Sequence, residues 1–459
     1  MNSLLPIVAP SGGTWPFSGN KTLHLLPFFF TPRIKIPKSR TNTFLRVDSS
    51  SSSPATLRDV CNGRVPDHIL QKAEEAGFTI PTDVQAKSLP ILLSQRDCIL
   101  HAQTGSGKTL AYLLSIFSAV NFQSSAVQAL IVVPTRELGI QVTKVARKLA
   151  AKSGGLDTVQ KTCTVMALLD GGMLKRHKSW LKAEPPAIVV ATIGSLYKML
   201  EKRIFKLEAL KVLVIDEVDF MFYSSKQVHS LRKLLTSYST IKTRQTIFAS
   251  ASIPQHNHFL SECIQQKWTK SDAVHIHVNP VTPLPSNFKH NFLISKKCQR
   301  LHTLLSILHK NKPRSAIIFV GDQSERSKRA GETPSTTLVV EFLKSNYKQG
   351  LEILLLEEDM NFNARVNSLL EVRQRCCILV ATDIAGRGVD LPETSHIYNF
   401  DLPKTAIEYL HRSGRTGRKP FSDEIYTVTS LITQDERFVL QKFENELMFQ
   451  CEEQEEEIE

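Results

Sequence analysis

Residues Ala102 to Thr109 read AQTGSGKT, between an apolar run, DCILHA, and a helical pattern, LAYLLSIFSAV. Gly105 and Gly107 free the backbone to wrap its N–H groups around a phosphate. Lys108 then reaches the β and γ phosphates of a nucleotide, and Thr109 offers a hydroxyl to magnesium. The first position of this P-loop is Ala102 in place of glycine, a tolerated variant. Further along, the run VLVIDEVD ends in acids. A P-loop nucleotidase needs such an acid on a neighbouring strand. Asp216 would hold magnesium directly or through water, and Glu217 is placed to polarise the attacking water. An acidic cluster at a strand end is by itself commonly a solvated turn; paired with the P-loop, it points to nucleotide hydrolysis.

These residues need a scaffold that brings strand ends together. Beyond about Thr56, short runs rich in β-branched residues alternate with longer helical patterns, as in parallel sheets wrapped by helices. DCILHA, ALIVVPT, AIVVAT, VLVIDE and TIFAS form a first set of candidate strands. SAIIFV, EILLL, CCILVATD, HIYNF and IYTVTSLI form a second, after the Pro-interrupted linker NPVTPLPSNF. The expected organisation is a leader over 1–55, a first α/β domain over 56–281, a second over 282–443 and a solvated acidic tail over 444–459. Within the second domain, DQSERSKRAGETPST reads as a flexible loop.

Composition narrows the class. With 42% apolar and 22% charged residues and no apolar run of membrane-spanning length, the chain reads as globular and not membrane-embedded. A formal charge of +13, despite the acidic end CEEQEEEIE, favours a polyanionic partner such as nucleic acid, although a basic surface or a targeting segment also contributes. Eight cysteines without a CxxC pair read as reduced thiols, not a zinc site or disulfide framework. From Met1 to Val47 there is no acid, while basic and hydroxylated residues recur, as in an organelle transit peptide; serine richness and modest arginine content favour the plastid stroma over the mitochondrion. A secretory signal centred on LHLLPFFF is disfavoured because Pro27 interrupts it and the basic residues mostly follow it.

Further motifs carry a family resemblance. PTREL (134–138), GG (171–172), ATIGSL (191–196), SAS (250–252), IIFV (317–320), ATDIAGRGVD (381–390) and HRSGRTGR (411–418) follow in order with the P-loop and DEVD. From about Val60 to Thr433 the chain resembles the DEAD-box ATP-dependent RNA helicases, and with its leader the plant chloroplast members. The resemblance implies two RecA-like domains in tandem, with the ATP site in the cleft between them. GFTIPTDVQ resembles the adenine-recognition motif, giving ATP contacts to Phe78, Thr82 and Gln85. Ala102, Gln103, Thr104, Gly105, Ser106, Gly107, Lys108 and Thr109 would hold the phosphates, and Gly388 and Asp390 the ribose side. Arg415 and Arg418 stand where the family uses arginine fingers, a role suited to a planar, permanently charged group.

The same resemblance assigns RNA contacts to Pro134, Thr135, Arg136, Gly172, Thr192, Gly194, Thr382 and Arg387. It assigns coupling between sites to Asp219, Ser250, Ser252 and His411. Phosphate and ribose contacts of this kind imply little sequence preference and strong salt dependence, and contacts to the 2′-OH imply RNA over DNA. The implied protein is a monomeric helicase that uses ATP and Mg2+ to separate short RNA duplexes or remodel RNA–protein complexes; an ATP-gated RNA clamp is the alternative. Several positions depart from the pattern. Ile193, Gly194 and Ser195 replace Pro-Gly-Arg, Ser252 replaces Thr, Val218 replaces Ala, and Phe362 precedes Arg365 where Gln-x-x-Arg is usual. The upstream aromatic of the adenine motif is also missing, with Leu57 or Val60 in its place. That absence implies weaker adenine stacking; the other changes fall on the RNA-facing and coupling positions and leave the phosphate machinery whole.

Overall fold

The computed structural model describes residues 55–151, 163–169, 174–204, 207–223, 225–237, 242–253, 258–278, 284, 288–357, 359–383, 385, 391–416 and 425–454. The leader and most of the expected linker lie outside the described residues.

Seven strands form a first sheet: β1 (Cys98–Ala102), β2 (Ala129–Val133), β3 (Val165–Leu168), β4 (Ile188–Thr192), β5 (Val212–Asp216), β6 (Gln245–Ser250) and β7 (Val274–Val278). Their order is β3-β4-β2-β5-β6-β1-β7, and every ladder is parallel. A second parallel sheet has the order β10-β11-β9-β12-β13-β8-β14. It is built from β8 (Phe288–Ile294), β9 (Ala316–Phe319), β10 (Glu352–Leu356), β11 (Cys377–Ala381), β12 (His396–Asn399), β13 (Tyr426–Ile432) and β14 (Cys451–Glu453).

The central strands read as unbroken apolar runs because helices cover both faces of each sheet. Alternate residues therefore enter different cores. Leu100, Ile131, Val190, Val214 and Ile247 join one apolar cluster, while Ile99, Leu130, Val189, Leu213 and Phe248 join the other. The second sheet repeats this, with Ile317, Leu379, Ile397 and Val428 on one side and Ile318, Val380, Tyr398 and Leu431 on the other.

Two segments differ from expectation. The polar stretch read as a loop holds the helix Glu325–Ala330, started by Ser324, whose hydroxyl accepts from the Ser327 amide, and ended by Gly331 at φ +71°. Local capping thus orders a segment with no apolar periodicity. Nor does the chain become a solvated tail after Phe443. The helix Arg437–Leu447 continues with Leu447 buried, Phe449 packs on the rings of His290 and Tyr409, and β14 adds to β8 despite its two glutamates. Lys289 offsets that charge with an ion pair to Glu452 at 3.0 Å. Residues 455–459 lie outside the described residues.

Candidate active site

Parallel strands deliver their carboxyl ends to one edge of the sheet, where an open α/β fold places ligands. In the first sheet that edge is divided. β1, β5 and β6 are adjacent and lead into the P-loop, the acids and Ser250–Ser252; β3, β4 and β2 are adjacent, with β4 and β2 leading towards Thr192–Gly194 and Pro134–Arg136. The sequence order of these motifs gives no hint of this grouping.

In the P-loop, Gly105 and Gly107 have φ of +81° and +93°. A side chain at Gly107 would also collide with Gln85, because a Cβ there would lie 2.5 Å from Nε2. This close approach joins two motifs. The Thr82 hydroxyl donates to the Ser106 carbonyl at 2.8 Å, and Gln85 Nε2 donates to the Gly107 carbonyl at 3.3 Å. Gln85 Oε1 meanwhile accepts from the Thr82 amide, closing a capping box. One lone pair and one N–H of the Gln85 amide remain for another partner. Phe78 is partly exposed beside this helix start.

Lys108 Nζ donates to the carbonyls of Ala102 and Gln103 at 2.6 and 2.8 Å. Burial lowers its pKa against the opposing pull of Glu217, Asp216 and Asp219, and the charge of Arg415 lowers it further. Arg415 is thus felt at the P-loop from the second sheet's side of the chain; it is buried, and its Nε donates to the His411 carbonyl at 3.3 Å. Burial together with the neighbouring charge of Glu217 pushes the Asp216 carboxyl up to about 7. Its oxygens accept from the Glu217 amide at 3.0 Å and from the Tyr112 hydroxyl at 2.9 Å. The Tyr112 contact to this expected magnesium ligand is one that no motif revealed. Glu217 has φ +50°, a conformation costly for a residue with a side chain, and its buried Oε2 has no partner among the described residues. These crowded, dry carboxylate oxygens and the Thr109 hydroxyl form a hard-oxygen donor set that fits Mg2+.

Asp219 stands at the meeting point of the two sheets. Its amide donates to Ser250 Oγ at 3.4 Å, and its Oδ2 accepts from Ser252 Oγ at 2.5 Å and lies 2.8 Å from His411 Nε2. Burial alone would raise the Asp219 carboxyl, but His411 and the two serine hydroxyls hold it well below the usual range. A second buried ion pair crosses between the sheets, from Arg365 Nε to Glu137 Oε1 at 3.1 Å. Glu137 belongs to PTREL, and sequence reasoning gave it no role. Arg412, by contrast, is structural: it grips Asp383 with two nitrogens at 2.7 and 3.1 Å and lies over the Phe319 ring.

Along the other half of the edge, Thr135 starts the helix Arg136–Ala150, its Oγ1 accepting from the Leu138 amide at 3.3 Å. The Thr192 hydroxyl donates to Ser195 Oγ at 3.0 Å, and Gly194 faces open space. Thr382, buried just beyond β11, has a hydroxyl with no partner among the described residues. Gly172, Arg387, Gly388, Asp390 and Arg418 lie outside the described residues.

Val218 is fully buried and its side chain belongs to the apolar cluster that also holds Leu213 and Ile215 of β5. Val218→Ala is expected to cost about 2 kcal/mol of stability through lost packing. Calorimetry should show a lower Tm, while basal ATPase stays within about twofold of the parent, as expected of a change that reaches only packing.

Comparison with known proteins agrees with this geometry. The DEAD/DEAH box helicase model matches residues 82–259, and the helicase conserved C-terminal domain model matches 296–420. The chain is 63% identical to "DEAD-box ATP-dependent RNA helicase 58, chloroplastic" of Oryza sativa subsp. japonica, over 97% of this chain and 98% of that protein. It is 64% identical to the protein of the same description from Arabidopsis thaliana, over 88% and 85%. Among solved structures, Mss116p bound to ssRNA and AMP-PNP matches with TM-score 0.74 at 24% identity, covering 88% of this chain and 80% of that one. S. cerevisiae Dbp5 bound to RNA and ADP BeF3 matches with TM-score 0.69 at 20% identity, over 85% and 94%. These likenesses show the tandem RecA-like fold, and with the close sequence relatives they establish that the chain belongs to the DEAD/DEAH box helicase family.

Proposed function

We propose that the chain is an ATP-dependent RNA helicase of the plastid stroma that separates short RNA duplexes or remodels RNA–protein complexes. The observation that carries this reading is the Asp219–His411 contact, which ties the acidic end of β5 to the helix Ala406–Ser413 that leads into Arg415. Nucleotide chemistry on one domain is thereby joined to a cation supplied by the other.

The P-loop from Ala102 to Thr109 holds the phosphates of ATP, with Lys108 leaving its own loop carbonyls for the β and γ oxygens. Thr109 and Asp216 would hold Mg2+, partly through water, and the ion would supply neutralisation of the phosphate charge. Glu217 takes up the proton of the attacking water, and Arg415 and Arg418 stabilise the charge that develops on the transferred phosphate. Phe78, Thr82 and Gln85 select adenine, and the ribose contacts fall to Gly388 and Asp390. Pro134, Thr135, Arg136, Gly172, Thr192 and Gly194 hold RNA from the first sheet, and Thr382 and Arg387 from the second. Asp219, Ser250, Ser252 and His411 couple the two ligands. The family relationship and the relatives' chloroplast descriptions support this reading, as does the acid-free leader. The protein acts as a monomer, and among the described residues no helix is long and apolar enough to cross a membrane.

The test is ATP turnover by purified protein with and without single-stranded RNA, alongside strand separation of a short duplex. RNA should raise turnover, and Lys108→Ala should abolish the increase. Turnover indifferent to both RNA and Lys108→Ala would overturn the proposal, and stimulated turnover without strand separation would leave an ATP-gated clamp. A reporter fused to residues 1–55 should enter plastids; a diffuse cytosolic signal would refute that location.

The Glu137–Arg365 pair should behave as a closure contact. Arg365→Ala leaves a carboxylate buried without its partner, which typically costs about 3–5 kcal/mol, whereas removing both partners costs less. RNA-stimulated ATPase should therefore fall sharply in Arg365→Ala and recover in part in Glu137→Ala/Arg365→Ala. Equal losses in both variants would show that the pair does not act as a unit.

A further inference from the structure

The amino edge of the first sheet, opposite the edge that carries the P-loop, holds a cavity of about 650 Å³. Its lining comes from residues that lead into adjacent strands: Gln95 into β1, Lys211 into β5 and Lys270 into β7, with Arg244 and Gln245 at the start of β6. The helix Lys108–Ala119 starts in the P-loop and ends at this cavity, roughly 17 Å away at 1.5 Å per residue. Arg64, between the helices Leu57–Cys61 and Asp67–Glu75, lines it as well. Gln245 Nε2 donates to the carbonyls of Leu92 and Arg96 at 2.9 and 2.7 Å, so this wall is fixed before any ligand arrives.

Of the ten residues lining the cavity, four are cations and none is an acid. The four differ in what they offer. Arg244 is fully buried, its Nη2 donating to the Leu235 carbonyl at 2.9 Å, and Lys270 Nζ lies 3.7 Å from the buried Asp97, so these two contribute mainly to the field. Arg64 and Lys211 are exposed, and neither makes an ion pair among the described residues; Lys211 Nζ donates to the Ala119 carbonyl at 3.0 Å. A concave surface lined by one sign of charge focuses its field and gathers counter-ions. Leu93 and Ala119 add apolar surface to the same walls.

We propose that this cavity binds a small organic molecule carrying two phosphate groups on a compact carbon skeleton. Arg64 and Lys211 hold the phosphates, Arg244 and Lys270 reinforce the field, and Leu93 and Ala119 meet the carbon skeleton. The volume falls within the range of small-molecule sites and would be left mostly empty by a single inorganic phosphate. The site stands apart from the nucleotide, at the far end of the helix that begins with Lys108.

Isothermal titration of the full chain with fructose bisphosphate reads the site, once a non-hydrolysable ATP analogue and Mg2+ fill the P-loop. The bisphosphate should bind at least about tenfold tighter than inorganic phosphate, the scale of one added charge-assisted hydrogen bond. Arg64→Ala/Lys211→Ala should weaken it about hundredfold, as two such bonds are lost. Arg64→Lys/Lys211→Arg keeps both charges and should retain most of the affinity, which separates lost charge from lost fold. Absence of binding by the parent, equal affinity for inorganic phosphate, or an unchanged affinity in Arg64→Ala/Lys211→Ala would each overturn the proposal. So would a parent that ignores the bisphosphate while Arg64→Ala/Lys211→Ala weakens binding of fluorescein-labelled single-stranded RNA, because the cavity would then serve an RNA strand.

Discussion

Glu217→Gln is expected to lower ATP turnover by about 10²–10⁴-fold, the usual contribution of a positioned general base, while ATP and RNA still bind. Glu217 stands at the end of β5 with φ +50°, buried, and with an oxygen that no described protein atom satisfies. A left-handed residue that is not glycine persists only where the surroundings over-determine it, and here Asp216 accepts its amide at 3.0 Å. Glutamine keeps the shape and the backbone but cannot take up a proton. Single-turnover hydrolysis together with fluorescent-nucleotide binding separates the two effects. Turnover within a few-fold of the parent would mean that another group activates the water.

His411→Ala is expected to uncouple hydrolysis from RNA. Asp219 Oδ2 lies 2.8 Å from His411 Nε2, and both side chains are buried. Truncating one partner of such a pair destabilises the joined arrangement by about 3–5 kcal/mol, more than two orders of magnitude in its population. RNA-stimulated turnover should fall about hundredfold, as that shift in population dictates. Basal turnover should change far less, because Lys108, Asp216 and Glu217 are untouched. Since the folded Asp219 carboxyl is held well below its ordinary range, its stabilisation is complete above that range and is lost only as pH falls towards the folded value. On the Asp219 side the contact is therefore insensitive to pH near neutrality. Equal loss of basal and stimulated turnover would assign His411 to chemistry instead of coupling.

The elements legible in the sequence were those whose physics is local. β1, β2, β4, β5 and β6 are covered on both faces and read as continuous apolar runs, as do β9 to β13. The missed strands β3, β7 and β14 lie at sheet margins, where burial is incomplete and apolar character thins. β8 was hidden for another reason: it carries His290 and Asn291 into the interior, and His290 Nδ1 reaches the Tyr409 hydroxyl at 2.9 Å. The P-loop and the acids of β5 were readable because phosphate chemistry constrains spacing along the chain. Glu137–Arg365 and Tyr112–Asp216 were not, because each joins residues that only the folded chain brings together.

ATP and RNA favour the same joined arrangement of the two sheets, so each must tighten binding of the other by the same factor. Fluorescence anisotropy of labelled single-stranded RNA, titrated with protein in the presence and absence of a non-hydrolysable ATP analogue and Mg2+, measures that factor. RNA should bind at least about tenfold tighter with the analogue, within the usual range of coupling free energies, and His411→Ala should abolish the difference. Identical RNA affinities with and without the analogue in the parent protein would contradict this coupling.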